Sequence, residues 1–144
     1  MRKTLALVFL LFSFNSFASK DTKQINCLAK AVYFEARGEN WKGMVAVAQV
    51  AANRIESDKF PDTYCSVVHQ KNQFSWTKSK PKVKDKESWN QALAVAKVAY
   101  YVGFPQDITK GALYFHSGKN PGWSKKKFVK TATINNHKFY KERT

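Results

Sequence analysis

The stretch "AVYFEARGEN", residues 31 to 40, sets Glu35 and Glu39 four positions apart in a chain with 10 acidic residues against 25 basic ones. Two carboxyl groups are the usual equipment for splitting a glycosidic bond, about 5 Å apart where configuration is retained and further apart where it is inverted. Four positions along a helix separate Cβ atoms by roughly 6 Å, so the spacing permits such a pair without requiring it. The settings of the two glutamates differ. Glu35 is flanked by Tyr33, Phe34 and Ala36 inside a helical pattern, whereas Glu39 follows Gly38, beyond the expected helix end. A carboxyl among aromatic and apolar groups has its charged form disfavoured, which makes Glu35 the better proton donor near neutral pH. The plainer role for the same residue is an ion pair with Arg37, Arg54 or a lysine. One glutamate suffices where the substrate brings its own nucleophile. The 6-hydroxyl of a muramic acid can close an anhydro ring while a single carboxyl first gives a proton and then takes one.

Cys27 and Cys65 are the only cysteines. An even count in an oxidising compartment pairs, and a disulfide between them is the expectation. The competing assignment makes Cys27, near the start of a helix, a thiolate nucleophile served by His116 or His137, and the two assignments exclude each other. His69, His116 and His137 raise the question of a metal. There is no HExxH and no CxxC, and the three histidines lie in different predicted elements, so neither a metal site nor a cofactor is expected. Phosphate-cradling glycine motifs and a GxSxG elbow are absent as well.

The elements that must position these groups fit one domain of 144 residues, 44% apolar and 15% aromatic, well removed from disordered compositions. Residues 1 to 18, "MRKTLALVFLLFSFNSFA", have the build of an export signal: Arg2 and Lys3, an apolar run from Leu5 to Phe14, then small Ser16 and Ala18. Cleavage after Ala18 would leave residues 19–144 as the mature domain, with no stable membrane anchor. That domain keeps 23 basic and 10 acidic residues, a formal charge of +13. An exported protein of that charge meets anionic wall polymers before it meets nucleic acid, so nucleic acid is not the expected partner.

Apolar residues at helical spacing predict a first helix over Ile25 to Arg37, stopped by Gly38. A second starts at a capping Asn40 and carries Met44, Val47, Ala48, Ala51 and Ile55 on one stripe. A short helix after Phe60-Pro61 would bring Cys65 towards Cys27, "NQFSW" is too short to classify, and "TKSKPKVKDK" reads as a solvated loop. Asp85 caps a third long helix ending at Gly103. The remainder, "GALYFHS" and "FVKTATINNHKFY", is β-branched and aromatic with turn residues between, and predicts two or three short strands.

Four segments in this order, "CLAKAVYFEARGENWKGMVAVAQVAANRI", "FPDTYCSVVHQKNQFSW", "ALYFH" with "PGW", and "INNHKFY", resemble the SleB/CwlJ family of cell-wall hydrolases from about Cys27 to Tyr140. The resemblance implies a monomeric α+β domain, mainly helical and lysozyme- or lytic-transglycosylase-like, with a small antiparallel β element. It implies cleavage of peptidoglycan glycan strands with Glu35 as the catalytic acid. Glu39 is then expected in the cleft wall or in a buried ion pair, or as a supporting or second carboxylate. Asn53, Arg54, Gln73, Phe74, Ser75, Trp76, Tyr114 and His116 would then be wall or sugar-contact residues. The plain leader and paired cysteines look like exported, periplasmic or envelope versions from Gram-negative bacteria or their phages. Asn135 stands where the family usually has glycine, which draws attention to the turn it occupies. Two other classes remain open on the sequence: an amidase or peptidase working through Cys27 or a metal, and a basic protein that binds the wall without cutting it.

Overall fold

A computed structural model describes residues 14–123 and 125–144, with side chains from Phe17 onward. The proposed leader therefore lies largely outside the described residues. The chain order is α1 (Phe14–Ala36), α2 (Trp41–Ile55), α3 (Tyr64–Val68), α4 (Trp76–Ser79), α5 (Lys86–Tyr101), β1 (Tyr114–Ser117), β2 (Phe128–Ile134) and β3 (His137–Glu142). This is the expected α+β arrangement, mainly helical with a small antiparallel sheet.

Ile25, Leu28, Ala29, Val32, Tyr33 and Ala36 recur at three- and four-residue steps on α1 and are buried against Met44, Val47, Ala48 and Ala51 of α2 and Ala92, Ala96 and Ala99 of α5. Alanine at the contact positions lets the helix axes approach closely, and the larger α1 side chains fill the space between them. Sequence-local chemistry starts and stops these helices. Asn40 Oδ1 accepts from Lys42 and Gly43 N–H, and Asp85 Oδ1 accepts from Ser88 N–H. Gly38, at φ 85°, ends the α1 segment in the left-handed region that glycine enters without steric cost. The Tyr33 hydroxyl accepts from Lys84 and Asp85 N–H at 3.2 Å each, which ties the middle of the core to the start of α5.

α1 begins well before Ile25, the expected start. Residues 17 to 24 carry no apolar stripe of their own, but Tyr100 O–H donates to Asp21 Oδ1 at 2.7 Å and holds this polar turn to the end of α5. The expected disulfide joins Cys27 to Cys65, Cα atoms 5.0 Å apart, and pins α3 to α1. Gln24 Oε1 reinforces it by accepting from Cys65 N–H.

The sheet has the order β1-β3-β2, antiparallel throughout. Phe139 at its centre is fully buried against Ala46 and Val50 of α2 and Ala112. Between Ile134 and His137 the chain reverses through two residues, with Asn135 at φ 50°. Asparagine tolerates the left-handed region better than other side chains. Its amide also donates to Glu39 Oε2 at 3.3 Å and Asn40 Oδ1 at 2.8 Å, contacts that a glycine there could not make.

Candidate active site

The last turn of α1 delivers Glu35 to a cleft of about 590 Å³. Arg54 from the end of α2 forms part of its floor, the 72–78 segment one wall, and β1 with Trp123 and Phe128 the other. Of the residues expected in a site, Glu35, Arg54, Gln73, Phe74, Ser75, Tyr114 and His116 come together here. Asn72, Lys78, Phe115, Ser117, Trp123 and Phe128 line it as well, beyond those expected. Trp123 sits in a turn-rich stretch with no periodicity. The "PGW" triplet is its only signal in the sequence.

Glu35 is half-buried, and Trp76 Nε1–H donates to its Oε1 at 3.0 Å. Burial pushes the carboxyl above its ordinary value, opposed by the Trp76 hydrogen bond and the nearby Arg54 charge. Trp76 does not line the cleft as a sugar platform. Its ring packs on Phe34 at 4.8 Å and on Phe74 at 5.9 Å, which aims the indole N–H at the carboxylate. Trp76→Phe removes a donor that favours the ionised form. A further rise in the Glu35 pKa is expected, shifting the alkaline limb of the pH–rate profile upward, with kcat reduced about tenfold.

Arg54 is 4% exposed, and its Nε–H donates to Leu113 O at 2.7 Å. The guanidinium lies 5.0 Å from the Phe60 ring, 5.8 Å from Phe74 and 6.0 Å from Tyr114. Burial lowers its pKa to about 10, so it stays charged at neutral pH. Arg54 Nη1 and His116 Nδ1 are buried and have no hydrogen-bond partner among the described residues. Buried polar atoms are rarely left unpaired, and two of them in the walls of one cleft mark positions where a polar ligand fits. His116 is held by stacking on Tyr140, rings 5.5 Å apart, and by its Nε2 at 3.1 Å from the Tyr140 hydroxyl.

Asn53 departs from its expected place as a sugar contact. Its amide nitrogen is spent on Asp107 Oδ2 at 2.9 Å, Thr109 Oγ1 at 3.3 Å and Ala112 O at 3.1 Å. Asp107 accepts as well from the Thr109 hydroxyl and from Thr109 and Gly111 N–H; against desolvation, the Thr109 hydroxyl, the Asn53 amide and these N–H groups together hold its carboxyl below the usual range. Gln49 completes the clamp, donating to Gln106 O and accepting from Ile108 N–H. The polar face of α2 thus fixes the loop that leads into β1, and β1 presents Tyr114 and His116 to the cleft.

Glu39 does not line the cleft either. Its carboxylate lies 3.0 Å from His137 Nδ1, an approach too oblique for a well-directed hydrogen bond, and takes the Asn135 amide. A side chain on Gly43 would run into this carboxylate and that amide, so the residue must be glycine for Glu39 to fold inward. Burial pushes the His137 imidazole below its ordinary 6.5 against the pull of Glu39, with the nearby His116 adding a small push in the same direction as burial. Stability carried by the neutral ring is therefore present above about pH 6.5 and lost as pH falls through the lower folded value. Glu39→Gln is expected to cost about 1–2 kcal/mol of stability in a melting experiment while leaving kcat close to wild type. The remaining nearby carboxylate, Glu142, accepts from Tyr114 O–H and from Lys59, with Lys127 at 4.0 Å, and these keep it ionised. That leaves Glu35 as the one carboxylate among the described residues that lines the cleft. No group of three His, Cys, Asp or Glu side chains able to hold a metal occurs among the described residues.

The sequence signature of the Cell Wall Hydrolase family (Hydrolase_2) matches residues 38–140. The chain belongs to the Cell Wall Hydrolase family. The match begins at Gly38, just past Glu35, and takes in every other wall of the cleft. The spore cortex-lytic enzyme of Oceanobacillus iheyensis is 49% identical over 51 residues, 35% of this chain and 18% of that protein. That of Bacillus subtilis strain 168 is 48% identical over 46 residues, 32% of this chain and 15% of that protein. The matched segment spans less than a fifth of these two curated relatives. Among solved structures, the catalytic domain of Bacillus cereus SleB superposes with a TM-score of 0.64 at 27% identity, covering 83% of this chain and 91% of that domain. The catalytic domain of the germination-specific lytic transglycosylase SleB of Bacillus anthracis gives 0.60 at 29% identity, covering 82% and 93%. This cell-wall hydrolase domain therefore matches the SleB catalytic fold over more than four fifths of its own length. The thiol alternative is not favoured, because Cys27 is bonded to Cys65.

Proposed function

We propose that this domain is a lytic transglycosylase that cleaves the MurNAc–GlcNAc bond of peptidoglycan, with Glu35 as its general acid and base. The observation that carries the reading is a single, half-buried carboxyl in a cleft whose other charged lining residues are the cations Arg54 and Lys78. Direct hydrolysis normally uses a second carboxylate to activate water or to form a covalent intermediate. Glu39 and Glu142 are engaged elsewhere. A substrate that supplies its own 6-hydroxyl avoids this requirement. Protonated Glu35 donates to the leaving glycosidic oxygen. The resulting carboxylate, steadied by Trp76 Nε1–H and the Arg54 charge, then accepts the proton of the 6-hydroxyl as it attacks C1 and the 1,6-anhydro ring closes.

Arg54 Nη1 and His116 Nδ1 are offered as partners for sugar or acetamido oxygens, with Gln73, Ser75 and Tyr114 as further wall contacts. The protein is read as exported to the periplasm through a leader removed after Ala18, and active there as a monomer without a membrane anchor. Among the described residues of α1 the first buried apolar one is Ile25, which lies after such a cut. Among the described residues no helix is long and apolar enough to cross a membrane.

Mass spectrometry of fragments released from purified sacculi tests the reading. Anhydromuramyl products, one water lighter than reducing-end muramic acid, are expected. Reducing-end muramic acid would make the enzyme a muramidase, and bare glycan with free peptides would place the cut at the amide bond.

A further inference from the structure

Trp76 stands between two cavities. One face of its surroundings is the Glu35 cleft, to which the indole donates; the other is a separate cavity of about 290 Å³ lined by Lys30, Phe34, His69, Trp76, Thr77 and Lys80, with Pro81 at its edge. Residues alternate between the two along one short segment. Phe74, Ser75 and Lys78 face the cleft, whereas Trp76, Thr77 and Lys80 face the second cavity, so α4 is a one-turn ridge dividing them. No carboxylate among the described residues lines the second cavity. Lys30 and Lys80 are exposed and have no ion pair among the described residues. His69 Nδ1 donates to Cys65 O at 2.9 Å, which fixes the ring against the wall. Lys80 itself is held at φ 47° as the cap of α4, an uncommon backbone state for a lysine. The cavity therefore offers two cations and an aromatic wall, and shares that wall with the acid.

We infer that this second cavity is a subsite for the stem peptide of the strand, where Lys30 and Lys80 take its free carboxylates and Phe34, Trp76 and Pro81 pack its aliphatic parts. The inference rests on the proposed cleavage of peptidoglycan. A glycan strand lying in the Glu35 cleft carries peptides on its muramic acids, and a stem of about four residues reaches roughly 13 Å when extended. That is enough to cross a single helical turn, whose overall diameter is about 10–12 Å. The +13 charge of the mature chain is spread widely, but here two lysines with no carboxylate between them close over apolar walls beside the acid. The enzyme would then select strands that still bear peptides over strands stripped of them.

The test compares kcat and KM on peptide-bearing glycan strands and on the same strands after enzymatic removal of the peptides, for wild type and for the double variant Lys30→Ala/Lys80→Ala. The wild type is expected to favour the peptide-bearing strand about three- to tenfold, through KM. The double variant should lose that preference and keep the wild-type rate on stripped strands. Equal use of both strands by the wild type, or a preference that survives in the variant, would overturn the subsite. Cleavage of stripped strands that vanishes with Glu35→Gln upholds the catalytic reading in either case, so the two claims fail separately. Binding of a free stem tetrapeptide, followed through the Trp76 indole N–H resonance, needs no turnover. A perturbation in the wild type that weakens at least threefold in the variant supports the subsite, and no perturbation at millimolar peptide overturns it.

Discussion

Glu35→Gln should abolish nearly all turnover while making the folded domain more stable at neutral pH. The two effects come from one cause. A positioned general acid contributes about 10²–10⁴-fold, and glutamine can neither donate nor accept the proton, so kcat on sacculi is expected to fall by that factor. The carboxyl pKa is raised by burial against the opposition of Trp76 and Arg54. A group whose folded value lies above its unfolded value of 4.5 adds stability below that value and loses it as pH rises through the folded one. Above the unfolded value the buried carboxyl therefore costs the fold more as pH rises, and the neutral amide avoids that cost. Tm of the variant should exceed that of the wild type at pH 7, and the gap should close below about pH 4.5. A variant that is inactive and less stable would mean that Glu35 serves mainly as a structural ion pair with Arg54. A stable, fully active one would remove the acid from the mechanism.

Much of the scaffold is legible in the amino-acid sequence, and the limits follow from the range of the interactions. The α1 and α2 stripes, the Asn40 and Asp85 caps and the Gly38 stop are local; α2 and α5 fall near where those signals put them, and α1 ends where Gly38 stops it. Cys27 with Cys65 follows from parity alone. The distinction between Glu35 and Glu39 is visible in their neighbours, but what Glu39 does instead depends on His137 and Asn135, almost a hundred residues away in sequence. Asn53 escapes a sequence reading for the same reason: its partners lie 54 to 59 positions downstream, and nothing near it in sequence separates a loop clamp from a sugar contact. Trp76 does not line the cleft but donates its indole N–H to Glu35, and an aromatic residue type does not reveal which edge of the ring faces the carboxylate. The early start of α1 has no apolar period to announce it and is held by tertiary hydrogen bonds, from Tyr100 to Asp21 and from Cys65 to Gln24. Local chemistry writes the scaffold, and long-range polar contacts choose the roles within it.

Replacing both Cys27 and Cys65 by serine is the second large effect expected, and it falls on stability rather than chemistry. The bridge closes a span of 38 residues that includes α2 and the end of α1 that carries Glu35. Restricting that span in the unfolded chain is worth about 2–4 kcal/mol, or roughly 10 °C in Tm for a domain of this size. The neighbouring contacts soften the loss without replacing it: Val67 and Val68 of α3 remain buried, and Gln24 still accepts from the backbone N–H of residue 65. None of the contacts that set Glu35, Trp76 or Arg54 passes through either sulfur. At 25 °C the variant should therefore cut sacculi at close to the wild-type rate, then fail several degrees earlier on heating. Reductant should reproduce that early failure in the wild type, whereas alkylating reagent added to the oxidised enzyme should do nothing. Lost activity at unchanged Tm would instead restore Cys27 as a nucleophile. The expected pattern also bears on location, because a compartment that keeps thiols reduced would remove this share of the stability, whereas an oxidising one preserves it.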